Sequence, residues 1–205
     1  NFAVGGSVSL QDLLNDGYNS IFVGTGAWRP KRLLIPGETF GNVHYAINYL
    51  NNPDVYDLGE RVAVIGAGNA AMDVARTAVR HGAKEVTVYS ITETPAASPR
   101  EVEYAKIDGV RFEYLQTAIE IKDDGVVICD VTWNEDGSLC KHEETARLVP
   151  ADTIIISISQ GPQDRLVNRD KGLQVDAKGL LKTDAHGETT LPGVFASGDV
   201  VTGAK

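Results

Sequence analysis

The sequence predicts an α/β fold in which a parallel sheet carries an attached antiparallel meander, and three observations predict it. Arg61-Val62-Ala63-Val64-Ile65 is an apolar, β-branched run without alternation, the pattern of a strand buried on both faces. A glycine-rich turn, Gly66-Ala67-Gly68-Asn69-Ala70-Ala71, follows at once and opens a helical pattern running to His81. Residues 117–149 then alternate as hairpin-linked strands do, with turn signals at Asp123-Asp124-Gly125 and Asp136-Gly137.

Along the chain, Ser9-Leu10-Gln11-Asp12-Leu13-Leu14 is a short helix candidate, and Ser20-Ile21-Phe22-Val23 a strand ending in Gly24-Thr25-Gly26-Ala27. A connector punctuated by Pro and Gly, Pro30 through Gly41, is the best first boundary. Asn42 is placed to cap a helix in which Val43, Ala46, Ile47 and Leu50 fall at helical spacing, stopped by Asn51-Asn52-Pro53. In the helix after the glycine turn, Ala71, Val74, Ala75, Ala78 and Val79 share one face, while Asp73, Arg76, Thr77 and Arg80 share the other. Gly82 supplies the left-handed stop, and Glu85-Val86-Thr87-Val88-Tyr89 reads as the next strand, completing a βαβ unit with a parallel crossover. Ser98-Pro99-Arg100-Glu101 has the form of a capping box with proline at the first helical position, starting a helix towards Lys106. Val110–Tyr114 begins another strand. A two-residue turn at Asp136-Gly137 sets Trp133 opposite Cys140 and Cys129 opposite Glu144, a register that disfavours a Cys129–Cys140 disulfide. The Ile-rich run 154–158 is the last buried strand expected before a glycine- and proline-punctuated end.

Composition narrows the function. The 205 residues carry 28 acidic and 19 basic side chains, a net charge of −9, which repels phosphodiester backbones and anionic lipid. Two cysteines without CxxC spacing and four scattered histidines speak against dithiol chemistry and a zinc site. No apolar run approaches the ~20 residues of a membrane span, and no signal-peptide pattern opens the chain. These absences lead us to expect a cytoplasmic protein. The sequence starts on Asn1 rather than Met, and both ends read as cut.

The chemistry concentrates in the glycine turn. Its pattern is GxGxxA, weak alone but strengthened by the strand before it, the amphipathic helix after it and the second strand beyond. Gly66 permits the tight turn, Gly68 admits a pyrophosphate against the backbone, and small Ala71 lets helix and strand pack closely. Backbone N–H groups of Asn69 and Ala70 and the positive helix end then face the phosphates. The unit is thus expected to be a Rossmann-like NAD(P)-binding domain. The same turn also serves proteins in which it only packs a helix onto a sheet. At the tip of the second strand, Tyr89-Ser90-Ile91-Thr92-Glu93 offers neither the acidic residue that bonds a ribose 2′-hydroxyl nor the arginine that suits a 2′-phosphate, so NAD versus NADP stays open.

The ordered set Gly24-Thr25-Gly26-Ala27, Leu34-Ile35-Pro36-Gly37-Glu38, the glycine turn and Phe195-Ala196-Ser197-Gly198-Asp199 resembles the pyridine nucleotide–disulfide oxidoreductase superfamily. Within it the chain is most similar to the glutamate synthase small-subunit group. Gly68-Asn69-Ala70-Ala71-Met72-Asp73, Pro99-Arg100-Glu101-Val102, Ala105-Lys106 before Gly109-Val110, and Ser159-Gln160-Gly161-Pro162 carry that likeness. The resemblance implies an FAD-binding domain interrupted by an NAD(P)H-binding insert: residues 1–40 and 160–205 as remnants of the FAD domain, 41–159 as the insert. It implies cofactor contacts at Thr25 and Gly26, at Gly198 and Asp199 (the aspartate that holds the ribityl chain), and at Gln160 near the stacked rings, besides Gly66, Gly68, Asn69, Ala70, Ala71, Tyr89 and Ser90 at the nucleotide.

The sequence departs from the group's pattern in several places. Ser90 and Ile91 stand where it carries arginines, Asn69-Ala70 where it has Asp-Thr, and Ser159 where it has glycine. A second glycine loop for the FAD pyrophosphate and the group's iron–sulfur cysteines do not occur in this sequence. The resemblance therefore implies a piece of a longer flavoprotein, an NAD(P)H-dependent FAD oxidoreductase in electron transfer with a partner subunit or acceptor, the piece being inactive alone. No catalytic side chain is expected, because the cofactors carry the chemistry. The rival reading is a non-catalytic nucleotide-binding module for sensing or scaffolding. A thioredoxin-reductase-like enzyme is disfavoured by the missing CxxC.

Overall fold

The computed structural model describes residues 3–163 and 165–204. In chain order it runs α1 (Leu10–Asn15), β1 (Ile21–Val23), β2 (Arg29–Pro30), β3 (Val43–Tyr45), α2 (Ala46–Asn51), a 3-10 turn (Pro53–Val55), β4 (Arg61–Ile65), α3 (Asn69–Arg80) and β5 (Glu85–Ser90). It continues with α4 (Pro99–Ile107), β6 (Arg111–Tyr114), β7 (Gln116–Lys122), β8 (Gly125–Trp133), β9 (Leu139–Pro150) and β10 (Thr153–Ile156). The last elements are β11 (Gln160–Gly161), α5 (Arg165–Arg169), β12 (Val194–Ala196) and α6 (Asp199–Thr202). Two compact units result, one of the residues up to Lys31 and from Ser159 onward, the other of Arg32–Ile158. The first division thus falls inside the Pro30–Gly41 connector, after Lys31, and the rest of the connector folds with the second unit.

The Arg32–Ile158 unit is built on a five-stranded sheet in the order β3-β10-β4-β5-β6, every neighbouring pair parallel. Both faces are covered, as an apolar parallel sheet requires. On one side Val62, Val64, Val86 and Val88 pack on Met72, Val74, Ala75 and Ala78 of α3 and on Val102 and Ala105 of α4. On the other, Ala63, Ile65, Tyr89 and Ile154 pack on Ala118, Ile121, Val126 and Ile128 of the antiparallel β7-β8-β9 meander. The connector is pinned here as well. Glu38, almost fully buried, accepts from the backbone N–H groups of Leu33 and Leu34 and from Tyr45 Oη, with Arg32 3.6 Å away.

The other unit is slighter. β1 pairs with β12 in parallel over a cluster of Leu10, Val23, Leu173, Leu181, Val194, Ala196 and Val200, and β2 pairs with β11 antiparallel. Ser9 caps α1 through a reciprocal box with Asp12.

Three local expectations are corrected. Asn42 does not cap a helix: Val43–Tyr45 is a strand paired with Ile154–Ile156, and the helix starts only at Ala46. The box at Ser98 is half-formed, since Ser98 Oγ accepts from Glu101 N while the Glu101 carboxylate pairs with Arg76. The β8–β9 loop spans Asn134–Ser138, so Trp133 faces Leu139 and Thr132 faces Cys140. Cys129 sits where that register shifts, opposite Thr117 of β7, and both cysteines are free.

Candidate functional site

In the sheet order, β4 has β5 on one side and β10 on the other, so the chain leaves β4 in one direction and returns from the other. Such a reversal opens a crevice beyond the carboxyl ends of the two diverging strands, the usual place for a ligand in an open α/β sheet. The glycine turn sits there, between the end of β4 and the start of α3.

Gly66 adopts φ +114, a left-handed conformation, and its N–H donates to the Tyr89 carbonyl at 2.9 Å. A Cβ on it would lie 2.3 Å from the Ser157 carbonyl oxygen beyond the end of β10, so the backbones of the two strand ends are held against each other. Ser157 N–H in turn donates to Ile65 O at 2.8 Å. Gly68 is the opposite case: its φ of −84 suits any residue, and a Cβ would meet nothing within 4 Å. Its surroundings leave room for a ligand. α3 starts at Asn69 with no side-chain cap and no acid in its first turn, so the partial positive charge of a twelve-residue helix is left for an anion. Ala71 is fully buried and belongs to the cluster that joins α3 to the sheet.

The loop after β5 is folded back onto the turn. Ala97 N–H donates to Ala67 O at 3.0 Å, and Ser98 N–H to Asn69 Oδ1 at 2.9 Å. Asn69 thus ties the starts of α3 and α4 together. Trp133 Nε1 donates to Ile91 O at 2.8 Å, tethering the same loop to the end of β8. None of these ties has a signal in spacing, because each joins residues far apart in the chain.

The structure brings Gly66, Gly68, Asn69, Ala70 and Ala71 into one turn, but gives Tyr89 and Ser90 a different standing. The Tyr89 ring is buried under the meander, where desolvation pushes its phenol upward in pKa, and only its carbonyl reaches the turn. Ser90 is buried too and engaged with Thr92. Neither presents a side chain to the crevice surface.

In the other unit, Thr25 and Gly26 follow β1, while Gly198 and Asp199 follow β12. Since β1 and β12 are parallel neighbours, all four lie beyond the carboxyl ends of adjacent strands. Thr25 and Asp199 are exposed, and Gly26 at φ +69 lies against the Trp28 indole. Thr25, Gly26 and Trp28 line part of a mainly apolar cleft of about 390 Å³. Gln160 stands apart from these four, half-buried on β11 opposite Pro30. Among the described residues no cluster of His, Cys, Asp and Glu suits a metal, and no helix is long and apolar enough to cross a membrane.

Comparison with known proteins agrees with this architecture. The glutamate synthase [NADPH] small chain of Escherichia coli is 30% identical over all of this chain, which spans 50% of that relative's length. The NADP(+)-dependent formate dehydrogenase subunit beta of Moorella thermoacetica is 32% identical, again over all of this chain and 31% of its own. The structure of Mycobacterium tuberculosis FprA in complex with NADPH superposes with a TM-score of 0.80, covering 100% of this chain and 63% of that one at 20% identity, a likeness of fold. Residues 5–205 match the family model of the pyridine nucleotide-disulphide oxidoreductases. The chain belongs to that family, with its likeness to the glutamate synthase small-chain type.

Proposed function

We propose that this chain is the NAD(P)H-binding portion of a flavin oxidoreductase of the glutamate synthase small-chain kind. The observation that carries the reading is the contrast within one turn. Gly66 is locked against the Ser157 carbonyl, while Gly68 two residues on faces open space at an uncapped, acid-free helix start. A turn that only packed a helix would have no use for that opening, whereas a pyrophosphate needs it.

In this reading Gly68, Asn69 and Ala70 present backbone N–H groups to the dinucleotide phosphates, and Asn69 also fixes the neighbouring loop by its bond to Ser98. Thr25, Gly26, Gly198 and Asp199 belong to the flavin side and Gln160 to a positioning role, within an FAD domain to which the unit of residues up to Lys31 and from Ser159 onward contributes, with the Arg32–Ile158 unit as the insert. When bound, the nicotinamide supplies a hydride and the flavin takes it up. The protein's part is to hold the phosphates and exclude misaligned poses, so no side-chain acid, base or nucleophile is assigned. The whole protein would pass electrons to a partner subunit or acceptor in the cytoplasm.

The test is Gly68→Val. A side chain there fills the space a pyrophosphate needs but meets no protein atom within 4 Å. Nucleotide affinity should fall at least tenfold in a calorimetric titration while the far-UV spectrum stays unchanged. Retained affinity would reduce the turn to a packing device and favour another site.

A further inference from the structure

We infer that the adenosine end of this site takes the dinucleotide lacking a 2′-phosphate, NADH or NAD+, in preference to its phosphorylated counterpart. The inference rests on the proposed reading of the glycine turn, and it runs opposite to the cofactor named for the Escherichia coli relative.

In a βαβ nucleotide site the ribose 2′ position lies beyond the tip of the second strand, here the segment that leaves Ser90. A phosphate at that position carries nearly two negative charges and calls for arginine, whose planar fork holds two of its oxygens at once. From Ser90 to Pro99 the one ionisable side chain is Glu93, which is exposed and of the wrong sign. The hydroxyls of Ser90 and Thr92, at the start of the segment, are engaged locally. Ser90 Oγ and Thr92 Oγ1 lie 3.0 Å apart, Thr92 N–H donates to Ser90 Oγ, and Thr92 Oγ1 donates to Thr94 O at 2.7 Å. Nor is the segment free to swing towards a distant cation, being held at Ile91 by the Trp133 indole and at Ala97 by the Ala67 carbonyl.

The cations of the adjoining helices have other partners. Arg100 donates to Tyr104 Oη at 2.9 Å and lies over that ring, Lys106 lies over Phe112, and Arg76 is paired with Asp108 and Glu101. The cleft of about 480 Å³ beside the tip counts Glu93, Glu103 and Lys106 as its charged lining, an excess of acid. A bare ribose diol donates hydrogen bonds and is at ease beside a carboxylate; a phosphate is repelled by it.

The experiment titrates the 205-residue chain with NADH and with NADPH at one ionic strength, by calorimetry, beside the variant Ile91→Arg. Ile91 is partly exposed and holds Trp133 through its carbonyl, so the substitution leaves the loop's tether in place. NADH should bind at least tenfold tighter to the wild-type chain, and Ile91→Arg should improve NADPH about tenfold with little change for NADH. NADPH binding as tightly as NADH overturns the preference. If Arg100→Ala then removes that NADPH affinity, the phosphate's partner is Arg100. An unchanged ratio in Ile91→Arg overturns the placement of the 2′ position. Failure to bind either nucleotide is a different result: it overturns the reading of the turn itself and this inference with it.

Discussion

The two units solve the same problem, holding together segments distant in the chain, by different means. The Arg32–Ile158 unit buries a parallel sheet between helices and a meander, so its strands are fixed by apolar side chains on both faces. Each fully buried Val or Ile there is worth about 1.5–3 kcal/mol, and many share the load. The other unit has two-strand ladders and one small cluster, and it leaves Tyr18, Phe22 and Trp28 largely exposed. Ladders that short are marginal on their own. Polar ties take a larger share: the Asp170 carboxylate accepts from the N–H groups of Leu10 and Gln11, and Arg169 donates to the carbonyls of Gly6 and Ser7. The glycine turn sits on the unit held by burial, where a rigid backbone can be aimed.

The largest effect expected from this contrast is that of Gly66→Ala. Left-handed strain and the overlap with the Ser157 carbonyl act together, since neither strand end can yield without disturbing the sheet. The loss should be about 4 kcal/mol in urea unfolding at constant m-value. Gly68→Ala, two residues away in open space, should cost less than about 1 kcal/mol. Equal costs would mean that the turn is not braced by β10.

Next in size is Asp170→Ala, which tests the slighter unit. Asp170 is buried and caps the start of α1 from 159–160 residues away. Its removal should cost about 2 kcal/mol by leaving two N–H donors unpaired. Hydrogen exchange should quicken in Leu10–Asn15 and Val194–Ala196 while Arg61–Ile65 stays protected. Uniform acceleration through both units would break the distinction between them.

Much of the burial-held unit is legible in the sequence, because its signals are local. The run Arg61–Ile65, the glycine turn and the amphipathic pattern to Arg80 each declare themselves within a few residues, and the structure places strand, turn and helix there. What is not legible depends on distant partners. Val43 fits a helical period with Ala46 and Ile47, yet it forms a strand because Ile154, more than a hundred residues later, pairs with it. Asp136-Gly137 reads as a two-residue turn, but Ser138 N–H and Oγ bond the Asp136 carboxylate and widen the loop to Asn134–Ser138. At the candidate site the glycines were legible and their braces were not: the Ser157 carbonyl, the Asn69–Ser98 bond and the Trp133 tether all come from elsewhere in the chain. Ser159 is a residue whose oddity the structure explains in part. By the resemblance it stands where the group has glycine, and it adopts φ +92, a left-handed conformation that a side chain disfavours.

The smallest effect concerns a polar tie inside the burial-held unit, and its sign separates it from those above. Asp152 Oδ2 accepts from Glu60 N and Arg61 N at 3.0 and 2.8 Å, and Oδ1 from Arg61 Nη2 at 2.6 Å, joining the entry of β10 to that of β4. The hydrogen bond from the Arg61 side chain, helped by the backbone N–H groups, holds the carboxyl down at about 2, against 3.8 for a free aspartate. A carboxylate held below its unfolded value favours folding while both states are ionised, above about pH 4. That advantage is lost as pH falls towards 2, when the unfolded chain takes up the proton first. Asp152 is about one-third exposed and Arg61 nearly half, so solvent screening trims the contribution to about 1 kcal/mol. Urea midpoints measured from pH 5 to pH 2 should therefore fall less steeply in Asp152→Asn than in the wild-type chain. Identical slopes would show that the tie adds nothing to strands already fixed by their buried faces.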